Sequence, residues 1–184
     1  AKTGRDVFYE GEFGKEIGTV HTEELVILPQ LSGTSSSKGY HAKNRGQQGL
    51  FKIDDKTITS YGIHFTYVQS SDTLFHVHQN LSARGKTIMI GDNRAKGIEH
   101  SISLHGDTVA VDTDFDFPRK DKLRDQRVEI IIAIPENGTV RMDNQIIRLG
   151  NSHLDDEEFE ERIEYYYDEN GYMRGNGKYR HYND

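Results

Sequence analysis

Apolar and polar residues alternate along the chain between residues 50 and 149. Ile63, Phe65 and Tyr67, for example, are separated by His64 and Thr66. A period of two, rich in β-branched and aromatic residues, is typical of strands, whose successive side chains point to opposite faces. The pattern therefore predicts a series of short strands. Besides Leu50–Ile53 and Thr57–Thr59, their apolar positions are Phe75, Val77 and Leu81, Val109 and Val111, Val128, Ile130, Ile132 and Ile134, and Val140 and Met142.

Turn-forming residues separate these runs. Segments 54–56, 70–72, 105–107 and 136–138 are rich in Asp, Ser, Asn and Gly, which favour turns. Short strands at this spacing predict an all-β fold, an irregular β-solenoid or sandwich of stacked short strands. The chain shows no strict repeat length.

One short helix is also predicted. Asp92 is a suitable N-cap residue, and Ala95, Ile98 and Ile102 share a face at helical spacing. Gly97 weakens this assignment, because glycine destabilises a helix interior.

We divide the chain into three segments of one domain. Residues 1–49 form an N-terminal β/loop segment with a strand at Glu24–Leu28 and a long loop at Ser32–Gly49. Residues 50–149 form the β-rich core. Residues 150–184 form an acidic, Tyr-rich C-terminal tail, either partly ordered or containing a short amphipathic helix with Phe159, Ile163 and Tyr166 or Tyr167 on its apolar face.

Composition excludes several classes of function. The 184 residues include no Cys, so a disulfide framework, a thiolate zinc site and a Cys nucleophile are excluded. The formal net charge of −7 argues against general nucleic-acid binding. No apolar run approaches the roughly 20 residues that span a bilayer. The chain begins at Ala1 without Met, so we expect a processed protein or a fragment, with any membrane anchor outside it.

Histidines provide the most suggestive chemical pattern. His76 and His78 lie two residues apart on a predicted strand and so share a face, where two imidazoles can chelate a metal. His64 on another strand is a candidate third ligand. The favoured interpretation is a polar, solvent-facing strand surface, because a zinc site also needs converging ligands and supporting hydrogen bonds. We predict no cofactor and no catalytic residue, and the binding residues are unknown.

Three other motifs are weaker. Gly85-Lys86-Thr87 is similar to the end of a P-loop, but Asn80 occupies the position of the required first Gly, and no helix is predicted directly after it. The acidic segments 155–161 and 168–171 lack the residue order of a calcium loop. The loop cations Arg119, Lys120, Lys122 and Arg124 suit anionic lipid headgroups, although Asp121 and Asp125 dilute their field.

Several short segments, in consistent order, resemble one known family. They are Asp72–Val77, Ser82–Lys86, Asp92–Arg94, Phe117-Pro118, Leu123–Val128 and Ile134–Gly138. Over roughly half of its length the chain resembles the C-terminal domain of phage-shock-protein-C (PspC) family membrane proteins. It departs from that pattern at Leu123, where Trp is expected, and beyond about Asn151.

The resemblance implies a toast-rack β domain tethered to the bacterial inner membrane, with a part in envelope-stress signalling and no enzymatic activity. We expect the domain in the periplasm, with the cytoplasmic face as the alternative. Expected partners are another protein or a second copy, and the membrane through an anchor outside the chain. Tyr61, Phe65 and Tyr67 are candidate contact residues, with core packing favoured for the last two.

Three hypotheses follow. The first is a non-catalytic, soluble sensor or scaffold domain of a membrane-tethered PspC-like protein. The second is a surface adhesin or glycan-binding module, by analogy of fold. The third is a metal-dependent enzyme using His64, His76 and His78.

Overall fold

A computed structural model describes residues 7–30, 40–41, 50–143, 145–149, 159–167 and 173–181. Within these ranges the chain forms fifteen β-strands, a single α-helix and one 3₁₀ turn at Arg119–Asp121. The strands form three sheets. The prediction of an all-β fold of stacked short strands with one short helix is confirmed.

The largest sheet has six strands. Its centre is a strand that is parallel to one neighbour and antiparallel to the other. In spatial order the strands are β1 (Tyr9–Val20), β7 (Phe75–Gly85), β11 (Arg127–Ile134), β6 (Ile63–Gln69), β14 (Phe159–Tyr167) and β15 (Met173–His181).

Strict alternation sets the orientation of β11. Val128, Ile130, Ile132 and Ile134 are completely or almost completely buried, while the residues between them are partly exposed. Fully burying one such side chain stabilises a fold by about 1.5–3 kcal/mol. This row of side chains therefore holds the sheet against the core.

The second sheet has five strands and is built around β2, which has a parallel neighbour on each side. Leu25 and Ile27 of β2 point into the core, which confirms the predicted strand in this segment. The strands, in spatial order, are β13 (Gln145–Ile147), β12 (Thr139–Met142), β2 (Glu24–Gln30), β9 (Thr108–Asp112) and β8 (Ile102–His105).

The third sheet has four antiparallel strands and contributes the buried side chains Ile58, Phe115 and Phe117. All three sheets share one apolar core, in which the rings of Phe65 and Tyr67 stack at 6.3 Å between centroids. The strands of this sheet, in spatial order, are β10 (Asp114–Pro118), β5 (Thr57–Tyr61), β4 (Leu50–Ile53) and β3 (Tyr40–His41).

Helix α1 spans Ile88–Lys96 and begins earlier than the sequence analysis predicts. The assignment of Asp92 as N-cap is wrong. The cap is Thr87, whose hydroxyl accepts a hydrogen bond from the backbone N–H of Ile90 at 3.2 Å. Asp92 instead lies within the helix and accepts the backbone N–H of Glu12 at 2.9 Å, which ties the helix to β1.

The predicted apolar helix face is only partly correct. Ala95 is buried beneath the helix, but Gly97 ends the helix, and its backbone N–H donates to carbonyls of the last turn. Ile98 follows as a buried core residue outside the helix, and Ile102 opens β8. Gly97 has a right-handed backbone, and the low helix propensity of glycine here prevails over the apolar spacing.

Glycines allow α1 to lie directly on the sheet. A Cβ atom on Gly11 of β1 would overlap the backbone of Gly91 and Asp92, and one on Gly85 of β7 would overlap the backbone nitrogen of Gly91. The helix backbone therefore contacts both strands where neither has a side chain. A side chain at either position would therefore push the backbone of the helix away from the backbone of the strand.

The two terminal segments are described in part. Most of the predicted loop Ser32–Gly49 lies outside the described residues, which include only the two residues of β3 within it. In the C-terminal segment the helical alternative is wrong, because the backbone at Phe159–Tyr167 forms β14. The backbone of β14 forms hydrogen bonds to β6 on one side and to β15 on the other, and not within a helix.

The glycine contact gives a test of this packing. We expect Gly11→Ala to lower the free energy of unfolding by about 2–3 kcal/mol, because the added methyl meets rigid main chain of α1. Gly14→Ala in the same strand is the matched control, since its methyl meets only the half-exposed His78 ring, at 2.9 Å from Nε2. Neither glycine has a left-handed backbone.

Urea unfolding measures both variants. We expect the control to lie within about 1 kcal/mol of the wild type. Equal stability of the Gly11→Ala and Gly14→Ala proteins would contradict the close contact between α1 and β1.

Candidate interaction surface

The loop that precedes β11 is held by one buried amide. Gln126 is 4% exposed and forms hydrogen bonds at both ends of its side chain. Its Nε2 donates to the carbonyl of Lys122 at 2.8 Å, and its Oε1 accepts the backbone N–H of Arg124 at 2.7 Å. This pairing fixes the backbone of residues 122–126 in a single shape.

A carboxylate joins the same loop to two strands. Asp125 has a positive φ of 55° and lies 3.2 Å from Nε of Arg84 on β7 and 3.1 Å from Nε of Arg127 on β11. The backbone N–H of Arg84 also donates to the carbonyl of Arg124 at 2.7 Å. The Leu123–Val128 segment is thus a clamp between β7 and β11.

The turn after β11 has an equally specific shape. The backbone N–H of Gly138 donates to the carbonyl of Pro135 at 2.9 Å, and Asn137 has a positive φ of 61°. A Cβ atom at Gly138 would lie 2.9 Å from the ring of Phe75, so the turn requires glycine there. The segment Ile134–Gly138 therefore shapes the return of the chain from β11 to β12.

The segment that contains both loops matches a known family. The model of the family described as "ToastRack found in some PspC", a C-terminal domain, matches residues 52–174, which is more than half of the chain. The chain belongs to the PspC C-terminal toast-rack family. The resemblance predicted from the sequence is confirmed. No curated protein and no solved structure gave a significant match.

The family to which this toast-rack domain belongs is membrane-associated and of a non-enzymatic type. Within the part of the chain that the structure describes, no helix is long and apolar enough to cross a membrane.

A cationic depression lies beside the clamp of the toast-rack domain. Its lining combines apolar residues of β4 and β5 with loop cations that the sequence analysis singled out. A second open depression adjoins it at Arg119 and contains Lys56 and Lys120. The first depression is lined by Ile53, Ile58, Arg119, Lys122, Leu123 and Arg124.

Two carboxylates of this region, Asp125 and Asp54, are engaged elsewhere. Asp125 is paired with Arg84 and Arg127. Asp54 accepts the backbone N–H groups of Lys56 and Thr57, at 3.0 and 2.8 Å, and these bonds hold its pKa below the ordinary value. In the described ranges no carboxylate forms an ion pair with Lys56, Lys120 or Lys122.

Two of the three candidate metal ligands lie together. His76 and His78 are half-exposed on one face of β7, and both approach Glu16 of β1, at 3.8 Å and 3.4 Å from their Nδ1 atoms. His76 Nε2 is also 2.9 Å from both carboxylate oxygens of Asp72. This hydrogen bond, followed by that from the backbone N–H of Leu74, lowers the pKa of Asp72.

His64 does not join them. It lies on β6, opposite Glu129 of β11, and β11 separates it from β7. No group of three or more His, Asp or Glu residues in the described ranges is arranged to hold a metal ion. The His pair instead forms contacts between β1 and β7.

The remaining motifs are resolved as follows. A helix does begin directly after Thr87, contrary to the prediction, but residues 80–85 form extended strand of β7 and make no phosphate-binding loop. Tyr61 is buried, so its prediction as a contact residue is wrong, and Phe65 and Tyr67 are core residues as favoured. Residues 155–158 of the first acidic segment and all of the second, 168–171, lie outside the described residues.

The sequence analysis missed a partly buried histidine. His100 lies between the six-stranded and five-stranded sheets, with its Nε2 at 2.6 Å from the carbonyl of Asp112 and its Nδ1 at 2.8 Å from Nε2 of Gln79. A carbonyl only accepts, so Nε2 carries the proton and Nδ1 accepts from Gln79. Both partners are distant in sequence, and no local pattern marks them.

Burial lowers the pKa of His100 below its ordinary value of 6.5, against smaller opposing effects of the Asp112 carbonyl and the Asp112 and Asp114 carboxylates. The folded protein thus favours the neutral ring more than the unfolded chain does. Its contribution to stability is complete above the ordinary pKa and is lost as the pH falls through the lowered value.

We therefore expect the free energy of unfolding to decrease as the pH falls below 6.5, and to decrease less in a His100→Gln variant. Urea unfolding across this range measures the difference. His105→Gln, in an exposed residue at the end of β8, is the control and should retain the wild-type pH dependence. Identical pH dependence in the wild type and His100→Gln would refute the role of this partly buried ring.

Proposed function

We propose that this chain is a non-catalytic sensor or scaffold domain of a membrane-tethered PspC-like protein. In this role it binds a protein or another envelope component during the bacterial envelope-stress response. Family membership supports the membrane setting. The geometry supports binding through exposed surfaces of a rigid domain.

The observation that carries the proposal is the structural use of the family motifs. Gln126, Asp125 and Gly138 fix loops around β11, and Gly85 seats helix α1. These residues build the framework and do not converge on a reaction centre. Selection for such a framework is expected where the domain must present surfaces in a fixed arrangement.

The outer face of the six-stranded sheet is the surface we propose for a protein partner. We define it by the half-exposed side chains of His76, His78, Glu129 and Ile131, which lie opposite the core. Glu129 accepts a hydrogen bond from the Thr66 hydroxyl at 2.8 Å, so this face is ordered. A flat, pre-ordered, mixed polar and apolar surface loses little entropy on binding.

Edge pairing through β1 is the less favoured mode. β1 forms an edge of the six-stranded sheet and carries Glu10, Glu12, Lys15 and Glu16. Charged residues on an edge strand oppose the addition of another strand. Contact through the sheet face avoids this cost.

The glycan-binding alternative loses two of its candidate residues. It depends on exposed Tyr residues as stacking platforms, but Tyr61 and Tyr67 are buried. The described strands retain Tyr9, which is partly exposed, at the start of β1.

A cellular experiment tests the proposal. The full-length protein carries a photo-cross-linking amino acid at Ile131, on the outer face, or at Ile146, an exposed control position on β13. We expect envelope stress to induce a specific cross-linked envelope protein at Ile131 but not at Ile146. Deletion of residues 52–174 should reduce induction of a stress reporter. Normal induction after the deletion, with equal cross-linking at both positions, would reject the proposed role.

A further inference from the structure

One end of the domain carries most of its exposed apolar residues. Ten large hydrophobic side chains are exposed among the described residues, and all but Leu28, Ile53 and Ile146 belong to β1, the residues just before it, or the first turn of α1. Met89 is 71% exposed and Ile88 is 60% exposed. The complete set is Val7, Phe8, Tyr9, Phe13, Ile88, Met89 and Ile90.

The topology brings these two segments together. Tyr9 lies opposite Gly85 in the pairing of β1 with β7, and a Cβ atom at Gly85 would lie 2.9 Å from Cγ2 of Ile90. The start of β1 therefore adjoins the first turn of α1. We call the surface of Val7, Tyr9, Ile88, Met89 and Ile90 the apolar end.

Folding does not need these side chains. The helix buries only Gly91 and Ala95, and its first turn projects Ile88 and Met89 away from the core. Contiguous exposed apolar surface on a folded domain marks a site of contact with another protein or a membrane. The surrounding charge distinguishes these two occupants.

One cation adjoins the apolar end, and a second lies in a loop at the same end of β7. Lys86 directly precedes the helix cap, and the hydrogen bond from the Arg84 N–H to the Arg124 carbonyl brings the 122–126 loop to the same end of β7. Lys86 and Lys122 are exposed, and neither pairs with a carboxylate of residues 7–30, 51–143 or 145–149. Glu10 and Glu12 of β1 alternate with Tyr9 and Gly11, so they lie on the opposite face of the strand from the apolar end.

Apolar side chains next to cations fit the boundary of an anionic bilayer. The apolar groups enter the region between headgroups and acyl chains, and the cations meet the lipid phosphates. The toast-rack family is membrane-associated, so a bilayer is part of the domain's expected surroundings, and an acidic protein partner is the alternative that absence of vesicle binding would favour.

We propose that the apolar end docks on an anionic phospholipid bilayer, with Ile88 and Met89 inserted and Lys86 and Lys122 on the headgroup phosphates. The inference rests on the proposed membrane-tethered setting and names the envelope component. Docking would hold the six-stranded sheet at a fixed orientation to the membrane.

Sedimentation with vesicles tests the docking. The 184-residue chain is mixed with vesicles of phosphatidylcholine alone or with added phosphatidylglycerol. We expect binding to the anionic vesicles, reduced about tenfold in the Ile88→Gln/Met89→Gln double variant. Lys86→Gln and Lys122→Gln should each reduce binding about fivefold, and high salt should remove this difference.

Matched controls separate this surface from general effects. Ile146→Gln removes an equally exposed apolar side chain, and Arg148→Gln removes an exposed cation of the same segment, so both should bind like the wild type. Thermal unfolding verifies that every variant is folded, which their exposure leads us to expect.

Four outcomes would overturn the proposal. They are no binding to anionic vesicles, equal losses in the control variants, displacement by inorganic phosphate at matched ionic strength, and a change in oligomeric state without a change in vesicle binding. The third would indicate a free-phosphate site, and the fourth a contact with a second copy. The vesicle assay does not measure stress signalling. A negative result would therefore reject the docking but not the proposed function, which the cellular experiment tests separately.

Discussion

The burial of alternate side chains along β11 is the constraint on which the fold depends. This strand joins β7, and through it β1 and helix α1, to β6 and β14. Val128, Ile130, Ile132 and Ile134 are each at most 1% exposed. A shift in register by one residue would turn all four toward solvent, at a cost of several kcal/mol. The core therefore permits only one alignment of the central strands.

The loop before β11 and the turn after it hold the adjoining surfaces in fixed positions relative to this strand. Gln126 and Asp125 set the backbone before the strand, and the Pro135–Gly138 turn sets it afterwards. The same clamp holds the 122–126 loop against the end of β7, from which the chain continues into α1. These framework residues thus position the exposed cations and apolar side chains without belonging to either group. Framework and candidate binding surface are separate sets of residues.

Local patterns sufficed to predict most strands between residues 50 and 149 and their turns, because alternation and turn residues act over a few positions. They did not predict β8, β10 or β13. Local patterns could not show which strands pair with each other. For example, β11 is parallel to β6 although more than fifty residues separate them. The start of α1 was missed because Thr87 caps it after a Gly-Lys pair that has no helical signal. In the C-terminal segment, apolar spacing indicated a helix, whereas pairing with β6 stabilises a strand. The surroundings of His100, Tyr61 and Ile88 likewise depend on distant segments.

Native-state hydrogen exchange measured by NMR tests the central role of β11 most directly. The account predicts that the amides of Ile130 and Ile132 exchange only when the whole domain unfolds, so that their exchange free energies equal the global free energy of unfolding. Amides of the edge strand β8 should exchange through smaller openings. Exchange at Ile130 and Ile132 as fast as in β8 would contradict the account.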